Sequence, residues 1–332
     1  MQSILKKAAE KNNLTYEEAR EAMTKIMSGE VSDAVLAAYL TALKLKGETA
    51  DEILGSAMAM REKALKIDAP DALDIVGTGG DGHNTFNVSS ISALVVAGYG
   101  IKVAKHGNKS VSSKCGSADV FEALGVKIDI PPEKMQAVFE KTGVAFLYAP
   151  VYHTSMKYAS KVRKELGFRS IFNILGPLCN PALAKYELLG VFDRSLQKLL
   201  IEVLARLGLK SAAVVHGENG LDEVNPAGST YISELIEGSI VHYTVTPKDF
   251  GFEPCKLEDI IGGDAETNKQ IALRILKGEK GPMRDTVIMN SALAIKLVLS
   301  KPMKECVKLA TESIDSGKAM QKLEELIRET NK

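Results

Sequence analysis

The chain is poor in cysteine, in net charge and in long apolar runs, and each shortage closes off a class of protein. Four cysteines occur in 332 residues, Cys115, Cys179, Cys255 and Cys306. They are far apart and form no C-x-x-C pair, which excludes a disulfide framework and implies a reducing, cytoplasmic setting. Lysine plus arginine total 42 and aspartate plus glutamate total 42, so no net field draws the protein to nucleic acid or to an anionic membrane. Any affinity for phosphate has to be local. The most apolar stretch, around Ile91 to Ile101, is broken by glycine and too short to span a bilayer, and the segment Met1-Gln2-Ser3-Ile4-Leu5-Lys6-Lys7 lacks the apolar core of an export signal. No internal repeat and no low-complexity segment is found. Composition is that of a soluble globular enzyme, 45% hydrophobic and 25% charged.

Glycine is where the sequence becomes specific. A short apolar strand signal, Leu73-Asp74-Ile75-Val76, breaks into Gly77-Thr78-Gly79-Gly80-Asp81-Gly82 and resumes as a helical run from Ser90 to Ala97. Strand, glycine loop and helix start together make the geometry of a phosphate cradle, since glycine permits positive φ and close approach while the helix N-terminus favours an anion. A second loop, Lys105 to Ser117, leaves another short strand and enters a helix from Ala118 to Leu124, and it carries three lysines, one histidine and four serines. Two donor-rich loops at the same end of neighbouring parallel strands imply a ligand with more than one phosphate group.

Residues 1 to about 65 read as four short helices, with capping boxes at Thr15-x-x-Glu18 and Thr49-x-x-Glu52, an N-cap at Ser32, and stops at Gly29 and Gly47. Their apolar stripes, including Ile26, Met27, Val35, Leu36, Tyr39, Leu40, Leu43, Ile53 and Leu54, exceed what so few helices can hide among themselves. A homodimer through this segment is therefore expected. From Pro70 onward strands are expected at 73–76, 101–104, 126–130, 144–148, 187–191 and 212–216, alternating with helices, which argues for a mostly parallel sheet covered on both faces. An antiparallel hairpin is expected at 230–234 and 239–245, followed by helices near 268–277, 285–299, 302–317 and 319–330. The fold class is α/β, with an all-helical domain at 1–68 and a larger α/β domain at 69–332.

The pattern Gly77-Thr78-Gly79-Gly80-Asp81, Thr85-Phe86-Asn87-Val88-Ser89, Lys105-His106-Gly107-Asn108, Gly116-Ser117-Ala118-Asp119, Phe172 to Leu178 and Asp222-Glu223 resembles the anthranilate phosphoribosyltransferase family over nearly the whole chain. The resemblance implies transfer of a phosphoribosyl group from phosphoribosyl pyrophosphate to the amine of anthranilate, in tryptophan biosynthesis. It implies donor contacts from Gly77, Gly79, Gly80, Asp81, Thr85, Asn87, Val88, Ser89, Ser90, Lys105, His106, Gly107, Asn108, Lys109, Ser110, Val111, Ser112, Ser113 and Ser117. For the acceptor it implies Gly77, His106, Asn108, Arg163 and Pro177. Two departures from the family wording stand out: His153-Thr154-Ser155-Met156 in place of His-Pro-Ala-Met, and Ser90 in place of threonine.

Displacing pyrophosphate from an anomeric carbon is mainly a matter of positioning and electrostatics. Magnesium suits it, because this cation bridges one or two carboxylates and substrate phosphates. Asp222 and Glu223 are adjacent carboxylates on a glycine-containing loop after a strand; such a pair is also common in a solvated turn, and the resemblance favours metal ligands, with Ser89 as a further contact. Lys105 and His106 join them as expected catalytic residues. His106 has the unperturbed pKa of a general base, yet an aromatic amine is already unprotonated at neutral pH, and the histidine can instead line the acceptor channel. Arg163 can clamp a carboxylate through two parallel hydrogen bonds, although by residue pattern alone it fits one member of a charged helix face better. Two rival readings are a pyrimidine nucleoside phosphorylase, which would need neither the Lys105-His106-Gly107-Asn108 loop nor the acidic pair, and a nucleic-acid-binding paralogue, against which the balanced charge argues.

Overall fold

Four helices open the chain, α1 (Gln2–Ala9), α2 (Tyr16–Met27), α3 (Asp33–Lys46) and α4 (Ala50–Lys63), in a computed structural model that describes residues 1–110 and 114–332. Both expected capping boxes form: Thr15 Oγ1 accepts from the Glu18 amide at 3.2 Å while Glu18 Oε2 accepts from the Thr15 amide at 2.8 Å, and Thr49 and Glu52 repeat the exchange. Glu52 does more than cap. It is fully buried, its Oε1 accepts the Leu14 amide at 2.8 Å, and its Oε2 pairs with Lys46 at 2.8 Å. One buried carboxylate thus ties the α1–α2 linker to the end of α3 and the start of α4. Ser32 occupies the N-cap position of α3, but its side chain makes no cap bond, and Gly47 ends that helix at φ 85°.

The chain then alternates: β1 (Leu73–Gly77), α5 (Val88–Tyr99), β2 (Val103–Gly107), α6 (Ser117–Ala123), α7 (Pro132–Thr142), β3 (Val144–Tyr148), α8 (Ala149–Tyr152), α9 (Lys157–Leu166), α10 (Phe172–Leu178), β4 (Tyr186–Gly190), α11 (Leu196–Arg206) and β5 (Ser211–Gly217). A hairpin, β6 (Thr230–Ile236) and β7 (Ser239–Val245), precedes the closing helices α12 (Ala265–Leu276), α13 (Pro282–Leu299), α14 (Met303–Asp315) and α15 (Lys318–Asn331). Among the described residues the strands form one sheet of seven in the order β3-β2-β1-β4-β5-β6-β7. The first five are parallel and the last two antiparallel, the arrangement expected of an α/β chain with an appended hairpin.

The segment 126–130, expected as a strand, is not one. Val126, Ile128 and Ile130 are buried while Lys127 and Asp129 are exposed, which gives the alternation of a strand without a ladder. The Lys127 amide donates to the Thr330 side chain at 3.3 Å, and Asn331 Nδ2 donates to the Gly125 carbonyl at 2.8 Å. Period-two burial here reflects packing beneath α15, with side chains of that helix meeting the backbone where a neighbouring strand would stand.

The sheet separates two apolar clusters. Ala213 and Val215 of β5 face one, with α5 to α7 and the C-terminal helices; Ala212 and Val214 face the other, with α1 to α4 and α9 to α11. This arrangement removes the premise for the dimer argument from uncovered apolar stripes. Of the residues named there, all but Val35 are buried within the single chain, because α9, α10 and α11 cover the inward faces of α2, α3 and α4. Leu45 alone among the large apolar residues of these helices is strongly exposed, at 74%. No helix among the described residues is long and apolar enough to cross a membrane.

Candidate active site

From β1 the chain moves outward through β2 to β3, and then returns to lay β4 against the other side of β1. The connections therefore diverge from the C-terminal ends of β1 and β4, which opens a crevice where open α/β sheets bind ligands. Gly77 and Gly190 end the two strands in register with each other. Their lack of side chains is a steric requirement: a Cβ on Gly190 would meet the Asp222 carbonyl oxygen at 1.6 Å, and one on Gly77 would meet Asp222 Oδ2 at 2.6 Å. The loop after β5 crosses over both strand ends at this point.

The first glycine loop is fastened to that crossing. The Gly79 amide donates to Asp222 Oδ2 at 2.8 Å, His83 Nε2 meets the Asn219 carbonyl at 2.8 Å, and the Phe192 amide donates to Thr78 Oγ1 at 3.3 Å. Gly79, Gly80 and Gly82 take φ of 65°, 76° and 81°, the left-handed conformations that the loop's composition permits. Asn87 stands at the N-cap of α5, so Ser89 and Ser90 lie in the helix's first turn as expected of a cradle. Val88 is an exception in kind. Its side chain lies in the main core, at 1% exposure, so only its backbone can face a donor.

The second loop is closed by Asp119, whose Oδ2 accepts the amides of Ser110 at 3.0 Å and Gly116 at 2.7 Å. Its strand is fixed from below: Asp74 accepts the His106 amide at 3.1 Å and Asn180 Nδ2 at 2.6 Å, and Asn180 also donates to the Ala104 carbonyl at 2.7 Å. Asn108 is exposed and Lys109 pairs with Glu122 at 2.8 Å. The expected donor contacts of Val111, Ser112 and Ser113 fall outside the described residues.

Lys105, Ser89, Asp81, Asp222 and Glu223 converge in the crevice. Lys105 is buried, and its Nζ donates to the Ile75 carbonyl and to Ser89 Oγ at 3.2 Å. Burial pushes its pKa down, opposed by Asp74, Glu223 and Asp222. Burial pushes Asp222 up to about 7, and Asp81 facing it adds to the rise; Glu223 is pushed well above the usual carboxylate range by burial and then by Asp222. The pair is half-buried, contrary to the reading of a solvated turn. Asp81 Oδ2 is buried without a hydrogen-bond partner among the described residues. Three carboxylates crowded beside a single lysine are short of positive charge, which fits a divalent cation. Among the described residues no group of three or more side chains forms a complete metal cage, so a cation here would need oxygens from a ligand as well.

On the other flank His106 meets the Gly176 carbonyl through Nδ1 at 3.1 Å, and its ring lies 5.1 Å from that of His153. Burial holds His106 well below its ordinary pKa and His153 at about 4. Both are neutral at pH 7, and both Nε2 atoms are buried without partners among the described residues. Pro177 follows Gly176 in α10. Arg163 stacks on Phe172 of the same helix, 5.1 Å from the ring centroid, and burial lowers its pKa. It has no acidic partner among the described residues, so it is a half-buried guanidinium with its hydrogen-bonding edge unspent.

Sequence reading passed over Arg169, which donates to the Gly80 carbonyl and stacks over Phe192 at 3.9 Å, as well as Asp74, Asn180 and His83. Asp74 did carry a signal, an acidic residue inside an apolar strand. A groove of about 510 Å³ lies elsewhere, between Arg194, Lys198, Tyr231 and His242. The chemistry nevertheless lies at the crevice, where the carboxylates, the lysine and the unpartnered histidines meet.

Such a crevice, with two anion-binding loops and an acidic pair over a parallel sheet, defines a sugar-phosphate transferase of the α/β class. Family models agree: "Glycosyl transferase family, helical bundle domain" matches residues 2–64 and "Glycosyl transferase family, a/b domain" matches residues 69–320. The chain belongs to this glycosyl transferase family. It is 51% identical to the anthranilate phosphoribosyltransferase of Endomicrobium trichonymphae over 96% of this chain and 95% of that one, and 50% identical to that of Methanobrevibacter smithii over 96% of each. It resembles the crystal structure of the enzyme from Thermus thermophilus with a TM-score of 0.94 and 43% identity, covering 99% of both chains. The Saccharomyces cerevisiae enzyme in complex with PRPP and Mg gives a TM-score of 0.92 at 30% identity, covering 99% of this chain and 97% of that one.

Because the loop crossing leaves no room at Gly190, replacing it by alanine should displace residues 218–224. Amide hydrogen exchange in that segment is expected to rise, with a fall of several degrees in melting temperature. Unchanged exchange would show that the loop does not depend on the close approach.

Proposed function

We propose that the protein transfers the phosphoribosyl group of 5-phosphoribosyl 1-pyrophosphate to the amine of anthranilate, releasing pyrophosphate, in tryptophan biosynthesis. The observation that carries this reading is the convergence of both glycine loops and the Asp222-Glu223 pair at one crevice, in a chain about half identical over its length to enzymes of that name. Nothing in the crevice favours the phosphorylase or nucleic-acid readings. Loss of anthranilate fluorescence on adding the donor with magnesium tests the assignment directly.

In this reading the first loop and the start of α5 bind the donor through Gly77, Gly79, Gly80, Asp81, Thr85, Asn87, Ser89 and Ser90. The second loop supplies Lys105, Asn108 and the amides near Ser110 and Ser117. Magnesium would be held by Asp222, Glu223 and Ser89 together with the donor's phosphates, and when bound it neutralises charge on the departing pyrophosphate. Lys105, pinned between the Ile75 carbonyl and Ser89, holds a fixed positive charge beside the carboxylates. Arg163 binds the acceptor carboxylate, and Pro177, His106 and Asn108 frame the ring. His106 stays neutral, and with Nδ1–H donating to Gly176 its Nε2 lone pair is free to take the amine proton after attack.

The division into a 1–68 helical unit and a 69–332 catalytic unit, a cytoplasmic location and a homodimer through the helical residues are part of the same proposal. What supports the dimer is the exposed Leu45 with the half-buried Leu5, Val31 and Val35. Light scattering should give about twice the 35.8 kDa of one chain; a fully active monomer would exclude it.

Two predictions concern the chemistry. Asp222 is raised in the folded state, so its ionisation costs stability as pH rises from its ordinary value of 3.8 toward about 7. Asp222→Asn with Glu223→Gln should therefore abolish magnesium-dependent turnover while leaving the metal-free melting temperature at pH 7.5 equal or higher. In the unsubstituted protein the magnesium requirement should grow as pH falls below 7, because protons then compete for the pair. A melting temperature that collapses in the double variant would make the pair structural.

For Arg163→Ala the expected outcome is a rise of about 10- to 150-fold in KM for anthranilate, the worth of one charge-assisted contact, with KM for the donor nearly unchanged. Equal rises for both substrates would remove Arg163 from the acceptor site.

A further inference from the structure

The segment between β7 and α12 closes over the first glycine loop. The Phe86 amide donates to the Ile260 carbonyl at 3.2 Å, the Gly262 amide donates to the Asn84 carbonyl at 2.9 Å, and Thr85 and Ile261 form an antiparallel bridge. Contact is so close that a Cβ on Gly262 would meet the Phe86 backbone at 2.7 Å. Beneath this clasp lies Asn268, on α12 and 2% exposed.

Its two amide ends are assigned by what they face. The Gly263 backbone N–H donates at 2.8 Å to Asn268 Oδ1, and a backbone N–H accepts nothing, so the oxygen has to lie there. Asn268 Nδ2 then donates to Asn87 Oδ1 at 2.8 Å, and Asn87 Nδ2 donates to the Cys115 carbonyl at 3.2 Å. Cys115 Sγ returns a bond to Asn87 Oδ1 at 3.3 Å. A one-way chain runs from a backbone amide at the start of α12 to a backbone carbonyl at the end of the second loop. Asn87, the N-cap of α5, is its middle link.

We infer that Asn268 is a positioning residue for the donor site. It sets the orientation of Asn87 and, through Asn87, the spacing between the two glycine-rich loops that would grip a doubly phosphorylated sugar. The inference rests on the proposed donor site. Burial of Asn268 makes the link directional, since reversing its amide would set its Nδ2 against the Gly263 amide and its oxygen against Asn87 Oδ1.

Asn268→Asp tests it with little change in volume. The carboxylate still accepts the Gly263 amide, but it presents an oxygen to Asn87 Oδ1 and breaks the link. Calorimetry with phosphoribosyl pyrophosphate and magnesium should show donor affinity reduced about tenfold or more, with KM for anthranilate within about twofold of the original. Asn268→Ala should behave likewise, and if it does not fold, the aspartate variant decides alone. The pathway is tested by a double-mutant cycle: added to Asn87→Ala, the Asn268→Asp change should weaken donor binding no further. Unchanged donor affinity in folded Asn268→Asp, additive effects in the cycle, or equal losses for both substrates would overturn the assignment. An unsubstituted protein that binds no donor would instead discard the functional reading on which it stands.

Discussion

The passage of the Asp222 backbone across the ends of β1 and β4 is the contact on which the site depends. Two glycines in register make it possible, and any side chain at either position would lift the loop from the sheet. With the loop down, Asp222 accepts the Gly79 amide, the first glycine loop is anchored, and Glu223 is brought toward Ser89 and Lys105. The same closeness removes water from three carboxylates. The raised pKa values of Asp222 and Glu223 record a free-energy cost that the isolated fold bears and that a cation would relieve.

The described residues of both glycine loops are flexible by composition and held by attachment. Asp119 gathers two amides of the second loop, Asp74 and Asn180 fix the strand that leads into it, and Arg169 holds the Gly80 carbonyl of the first. The 259–268 segment clasps the first loop from above. None of these supports needs to touch a ligand. They hold backbone donors in place before binding, so that less ordering is required when an anion arrives.

The helical N-terminal segment shows why a stripe pattern alone is a poor guide to assembly. Ile26, Leu36, Tyr39, Leu40 and Leu43 looked too apolar for four short helices, and they are covered by α9 to α11 from more than a hundred residues downstream. A helix records in its sequence that one face is buried; it does not record what buries it. The segment 126–130 makes the same point for strands, since alternate burial beneath α15 imitates a half-buried strand.

Local rules determined much of this protein. Capping boxes at Thr15 and Thr49, glycine stops, the strand-glycine-helix order at Gly77 and the Asp222-Glu223 pair were all legible, because each depends on residues a few positions apart. Only the tertiary structure decided which distant groups meet: Asn268 with Asn87, Arg169 with Gly80, His106 with Gly176 and His153, and the Asp222 backbone with Gly190. The pKa shifts belong to the second group as well. Desolvation and charge crowding are properties of a filled volume, and the volume around Asp222 is filled by segments that the sequence keeps up to about 150 residues apart.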